Sequence, residues 1–140
     1  MADAVTVRTI GETKHHLIVH LTNVSDGTGE SAVAKVDKST FVASDGAEPA
    51  SLDIETVRWN VQGFTSVKLL WDHNTDDVAL VLASSGFEDF RGSDLDLVPG
   101  NSALKDPRST GGSGDLLLTT AGTTSGNTYD ITLTLRKAPD

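Results

Sequence analysis

The chain has no cysteine. Disulfides, thiolate metal centres and cysteine nucleophiles are therefore excluded. Aromatic residues are scarce, with two Trp, one Tyr and four Phe in 140 residues. Basic residues are also few: 11 Lys and Arg stand against 20 Asp and Glu, a formal charge of −9. The deficit runs through the whole chain. The first 70 residues hold six basic and nine acidic side chains, and the remainder five and eleven. Nucleic-acid binders neutralise phosphates with a basic patch, and no such cluster is present, so no contact with DNA or RNA is expected. No apolar stretch approaches the roughly 20 residues of a membrane-spanning helix, and no membrane association is expected. The start, "MADAVTVRTIG", has no basic region followed by an apolar run. A secretory leader is not expected, and synthesis as a soluble protein in the cytoplasm is.

What is present reads as β structure. The length suits one domain, residues 1–140, with a substantial core. Apolar residues make up 37% and charged residues 22%, which is not the balance of a disordered chain. Thirteen glycines and abundant Ser and Thr favour strands joined by turns. Strand patterns fall at 4–10, 15–24, 31–37, 52–59, 64–71, 78–83, 115–121 and 128–137. In the last, Ile131, Leu133 and Leu135 alternate with Thr132, Thr134 and Arg136. Turn-forming strings such as "SDGTGE", "ASDGAEP", "DHNTDD" and "STGGSGD" separate them. No window of 11 or more residues carries a helical apolar stripe. Short strands at roughly ten-residue spacing predict an all-β fold, an antiparallel β-sandwich of jelly-roll type or a barrel. Two segments stand apart. Residues 1–10 are β-branched with no evident hairpin partner and read as a candidate extended arm. Residues 91–114, rich in Pro and Gly and without periodicity, read as a long surface loop.

The stretch "SDGTGESAVAKVDKS", residues 25–39, resembles chemistry at first sight. A phosphate-binding loop requires a second glycine followed by Lys and a hydroxyl residue. Here Ala34 stands in the glycine position and Val36 in place of the hydroxyl. A calcium-binding EF-hand loop needs oxygen ligands at its positions 1, 3 and 5, and Asp26 supplies only the first. Asp-Gly is a strong turn signal, so the stretch is read as a loop. His16 and His20 lie about 13 Å apart along a strand, too far to share one ion. His73 sits in an acidic loop, 72–77, with Asp72, Asn74, Asp76 and Asp77, whose oxygens suit a weak cation or a solvated turn. No nucleophile elbow appears. Glu88 and Asp89 alternate across a strand instead of facing each other over a cleft. Enzymatic activity is not expected, and no catalytic, cofactor-binding or metal residue is assigned. Trp59, Trp71 and Tyr129 allow a glycan-stacking surface, but large aromatics more often anchor a core.

The ordered set "LTNVSDGTGESAVAKVD" (21–37), "SVKLLWD" (66–72) and "GDLLLTTAGTTSGNTYDITLTLRK" (114–137) resembles a family of small virion structural proteins of tailed bacteriophages. The "MADAVT" start is similar as well, while the segment from Glu88 to Asp115 is longer than its counterpart. The resemblance implies a capsid decoration or cement protein on the outer head surface. It would bind the major capsid protein at capsomer junctions, self-associate, most readily as a trimer, and brace the shell. Tail, neck and head-fibre components, and a glycan-binding β-sandwich, are the alternative readings.

Overall fold

Period-two alternation of burial shapes the strands His16–Val24, Ser66–Trp71 and Thr128–Ala138. A computed structural model describes residues 3–90 and 104–138. Nine strands are present among the described residues: β1 (Ala4–Glu12), β2 (His16–Val24), β3 (Val33–Val36), β4 (Ser51–Gln62), β5 (Ser66–Trp71), β6 (Asp77–Leu82), β7 (Ser85–Asp89), β8 (Leu116–Ala121) and β9 (Thr128–Ala138). They form two antiparallel sheets, ordered β1-β2-β9-β4-β7 and β3-β8-β5-β6. The described residues contain no α-helix. A single 3-10 turn at Lys38–Thr40 is capped by Asp37, whose carboxylate accepts from the Ser39 amide.

The pairing follows one rule. Strand β2 pairs with β9, β3 with β8, β4 with β7 and β5 with β6, each antiparallel. The chain thus runs back along itself like one long hairpin. Wrapping that hairpin brings β4 beside β9 and β5 beside β8. Inward residues of both sheets meet in one core: Leu17, Val19 and Leu21 from β2, Ile131, Leu133 and Leu135 from β9, Val67 and Leu69 from β5, and Leu116 and Leu118 from β8. Each fully buried Leu or Ile contributes about 1.5–3 kcal/mol relative to exposure. The opposite residues of β9, Thr132, Thr134 and Arg136, are only part-buried and carry the polar outer face.

Bulges re-aim key side chains. The register shift between Ala34 and Val36 inserts Lys35 as an extra residue, so that Lys35 and Val36 are both buried. A second shift, between Ile54 and Thr56, does the same for Glu55. At Gly86 of β7 a side chain cannot fit, since a Cβ would lie 2.5 Å from Cζ2 of Trp59.

The expected N-terminal arm is instead the edge strand of the five-stranded sheet. It pairs with β2 from Ala4↔Val24 to Glu12↔Leu17. The turn between them is held by the Thr13 amide on the His16 carbonyl (2.8 Å) and the His16 amide on Thr13 Oγ1 (3.0 Å). Of the expected loop 91–114, residues 91–103 lie outside the described residues. Residues 104–114 run mostly exposed, as a surface loop does, with Asp106 and Gly114 buried; Leu104 exchanges two backbone hydrogen bonds with Ile54, at 2.9 and 2.7 Å, and pins the start of the segment to the sheet. Strand β7 starts at Ser85, within the Ser84-Ser85-Gly86 string of turn-forming residues.

Candidate functional site

The glycine-containing loop after β2 is an anion cradle whose anion is the chain's own. Asp3 Oδ1 accepts from Ser25 Oγ (2.9 Å) and from the amides of Asp26 (3.2 Å) and Gly29 (3.1 Å). Asp3 Oδ2 accepts from Asn23 Nδ2 (3.0 Å). Gly29 has φ +77°, and a Cβ there would come within 2.6 Å of Thr123 Oγ1, so this turn requires glycine. Burial alone would raise the Asp3 pKa; the hydrogen bonds from Asn23, Gly29, Ser25 and Asp26 outweigh it and hold the group at about 2.

A buried polar chain continues from that cradle. Asn23 Nδ2 also donates to Glu30 Oε1 (2.8 Å), and the Tyr129 hydroxyl donates to the same oxygen at 2.6 Å. Lys35 Nζ is ion-paired to Glu30 Oε2, with both side chains almost wholly buried. Burial and the neighbouring Glu30 carboxylate push the Tyr129 phenol well above its ordinary pKa, so it remains a donor. Tyr129 is therefore a core residue. Trp71 is buried too, its Nε1 donating to the Leu52 carbonyl at 2.9 Å, and neither ring offers a face to a sugar. Trp59 is half-buried and packs against the core, with Nε1 on the Ala83 carbonyl at 2.9 Å.

At the acidic turn 72–77 the structure departs most from a solvated loop. His73 is buried. Its Nδ1 lies 2.9 Å from the Gly111 carbonyl, which can only accept, so Nδ1 carries a proton. Nε2 faces Asp106 Oδ1 at 2.7 Å and Asp77 Oδ2 at 3.7 Å. Burial acts to lower the His73 pKa, but the Asp106 and Gly111 hydrogen bonds and the charges of Asp106 and Asp77 raise it overall. The segment supplying Asp106 and Gly111 is stitched to the turn by backbone bonds, from Asn74 N to the Thr110 carbonyl (3.0 Å) and from Gly114 N to the Asp72 carbonyl (2.8 Å). The approach is so close that a Cβ on Gly112 would sit 2.3 Å from the Asp72 carbonyl oxygen. The group borders a cleft of about 460 Å³ that also touches Lys38, Glu48 and Arg108.

His16 and His20 lie on the outer face of the five-stranded sheet, each with its own carboxylate. His16 Nε2 lies 3.0 Å from Glu55 and His20 Nε2 2.6 Å from Asp130. Cross-strand register aligns Arg8, His20, Thr132, Arg58 and Phe87 in one row. A shallow groove of about 520 Å³ there is lined by Arg58, Asn60, Asp130 and Thr132 among others. Arg58 stands over the exposed Phe87 ring at 5.6 Å.

Beyond these clusters, β1 ends the five-stranded sheet among the described residues. Strand β1 leaves Val5, Val7 and Ile10 exposed at 41%, 44% and 61%. Beneath its inner side lies an apolar trough of about 210 Å³ against Val19, Val36 and Phe41.

Asp106 and Gly111 escaped sequence reasoning because they follow an aperiodic stretch more than 30 residues from His73. The glycine cluster "STGGSGD" was the available signal, since glycines mark close backbone approach as well as turns. Comparison with protein-family models, curated proteins and solved structures gives no match to this chain.

Proposed function

We propose that this chain is a tailed-phage virion structural protein, a decoration or cement protein that binds the major capsid protein on the outer head surface. The observation that carries the reading is the β1 edge. A nine-residue strand stands at the end of the five-stranded sheet among the described residues and exposes Val5, Val7 and Ile10. Such an edge is a template for strand addition or apolar seating on a neighbour, because its outward side has no paired strand among the described residues. Each contact is modest, and a closed shell multiplies them. The same edge suits self-association into a trimer around a capsomer junction.

The strand order supports the finer fold reading. Rows β2-β9-β4-β7 and β3-β8-β5-β6, generated by a wrapped hairpin, fit a jelly roll with β1 appended at one edge. Jelly rolls recur in viral capsid and lectin domains, so the fold is compatible with both and decides between them only by analogy. The resemblance of residues 21–37, 66–72 and 114–137 to phage structural proteins favours the first. A tail, neck or head-fibre position uses the same surfaces.

No catalytic role is included in this reading. Both His73 nitrogens are engaged, so His73 has none left to draw a proton from a hydroxyl. A glycan-binding role draws support from the groove that half-buried Trp59 lines with Arg58, Asn60 and Asp130, whereas Trp71 and Tyr129 are buried. The test is occupancy on purified heads of the double variant Val5→Asp/Val7→Asp. Loss of binding with an unchanged fold supports the reading, and full occupancy contradicts it.

A further inference from the structure

We propose that His73, Asp77 and Asp106 form a binding site for one divalent transition-metal cation, with zinc the best-fitting ion. The candidate ligand atoms, Nε2 and one oxygen from each carboxylate, all lie within 4.8 Å of one another. Ligand atoms around a tetrahedral zinc, with bonds of about 2.0–2.1 Å, stand about 3.3 Å apart. The two separations from Nε2, 2.7 Å to Asp106 and 3.7 Å to Asp77, bracket that value. The two carboxylate oxygens lie within 4.8 Å of each other, so closing on the ion draws the ligands together by at most about 1.5 Å.

Three further features point to a cation. The Nδ1–H to Gly111 carbonyl bond fixes the ring so that Nε2 is the coordinating atom, which is the usual outer partner of a metal-bound histidine. Asp106 is only 6% exposed, yet its Oδ2 has no hydrogen-bond partner, and Asp77 Oδ2 is likewise buried and unsatisfied. Buried carboxylate oxygens left this way carry a desolvation cost that a cation removes. Charge points the same way: Asp77 and Asp106 bring two carboxylates to one place, whose charge a divalent ion balances. One nitrogen with two oxygens favours zinc or a neighbouring first-row ion over calcium or magnesium, which take oxygen ligands. The adjoining cleft leaves room for water in the remaining position. Bound there, the ion fastens residues 104–114 onto the β5–β6 turn.

Titrating the full chain with Zn²⁺ by calorimetry, and following thermal unfolding with and without it, tests the site. One ion per chain and a raised melting temperature are expected, with Co²⁺ giving a visible absorption band and Mg²⁺ and Ca²⁺ giving no stabilisation. Asp77→Asn, at a partly exposed position that tolerates change, should weaken Zn²⁺ binding at least about tenfold. His73→Gln should abolish it, while His15→Ala/His16→Ala should leave it intact. Absence of Zn²⁺ binding, equal affinity in Asp77→Asn, or stabilisation by Ca²⁺ matching that by Zn²⁺ would overturn the proposal.

Discussion

The Ser25 hydroxyl donates to Asp3 Oδ1 at 2.9 Å, tying the first described residue of the chain to the loop that follows β2. Strand β1 lies between these two points, so the bond closes the β1–β2 hairpin at its open end. An edge strand whose own side chains are mostly exposed gains little from burial. Its order rests on the ladder with β2 and on this latch.

Asp3→Asn should cost about 1–3 kcal/mol at neutral pH, because the new amide sets a donor against Asn23 Nδ2 and removes the charge from the cradle. The folded Asp3 pKa, about 2, lies below its ordinary value of 3.8. Between these values the unfolded state binds more protons, so stability rises with pH. The Asp3 contribution is complete above about pH 4 and fades as pH falls toward 2. Urea unfolding of both proteins at pH 7 and at pH 2.5 checks this, and the gap between them should narrow at the lower pH. A gap unchanged with pH would show that the carboxylate's charge is not what the loop recognises.

Lys35 and Glu30 should couple strongly. Lys35→Met strands a buried carboxylate and should cost about 3–5 kcal/mol. Adding Glu30→Gln should recover much of that loss, since no unpaired charge then remains. A double-mutant cycle by chemical denaturation measures the coupling, and simple additivity would contradict the buried pair.

Gly112→Ala and Gly46→Ala separate backbone strain from crowding. Both residues have positive φ, +69° and +82°, but nothing lies within 4 Å of a Cβ at Gly46. Gly46→Ala should lose only the left-handed backbone cost of about 1–2 kcal/mol. Gly112→Ala must in addition push the 110–114 segment away from Asp72, and its melting temperature should fall clearly further. Equal losses would mean that the close approach at Asp72 contributes nothing.

Much of the fold was legible in the sequence. Ile131, Leu133 and Leu135 declared the inner face of β9, and Leu17, Val19 and Leu21 that of β2, because a half-buried strand enforces period two. The β1–β2 hairpin was not legible: its turn, Thr13 to His16, has none of the Asn-Gly or Asp-Gly chemistry that marks tight hairpins, and the shift near Gly11 blurs the register. The stretch 25–39 reads as a loop in the sequence; its first part is one, while Val33–Val36 form β3 and Lys38–Thr40 a 3-10 turn, and the occupant of the loop was invisible, since Asp3 is more than 20 positions away. His73 is the same lesson on a larger scale. Its partners Asp106 and Gly111 arrive only after wrapping places β8 beside β5, a relation that no local pattern encodes.

The central claim is that the exposed edge of this protein seats on a phage head. Counting copies of the chain per purified particle by quantitative mass spectrometry tests it most directly. The account predicts a number on the order of hundreds, matching the many equivalent seams of a shell. A dozen copies or fewer, or none, would contradict it.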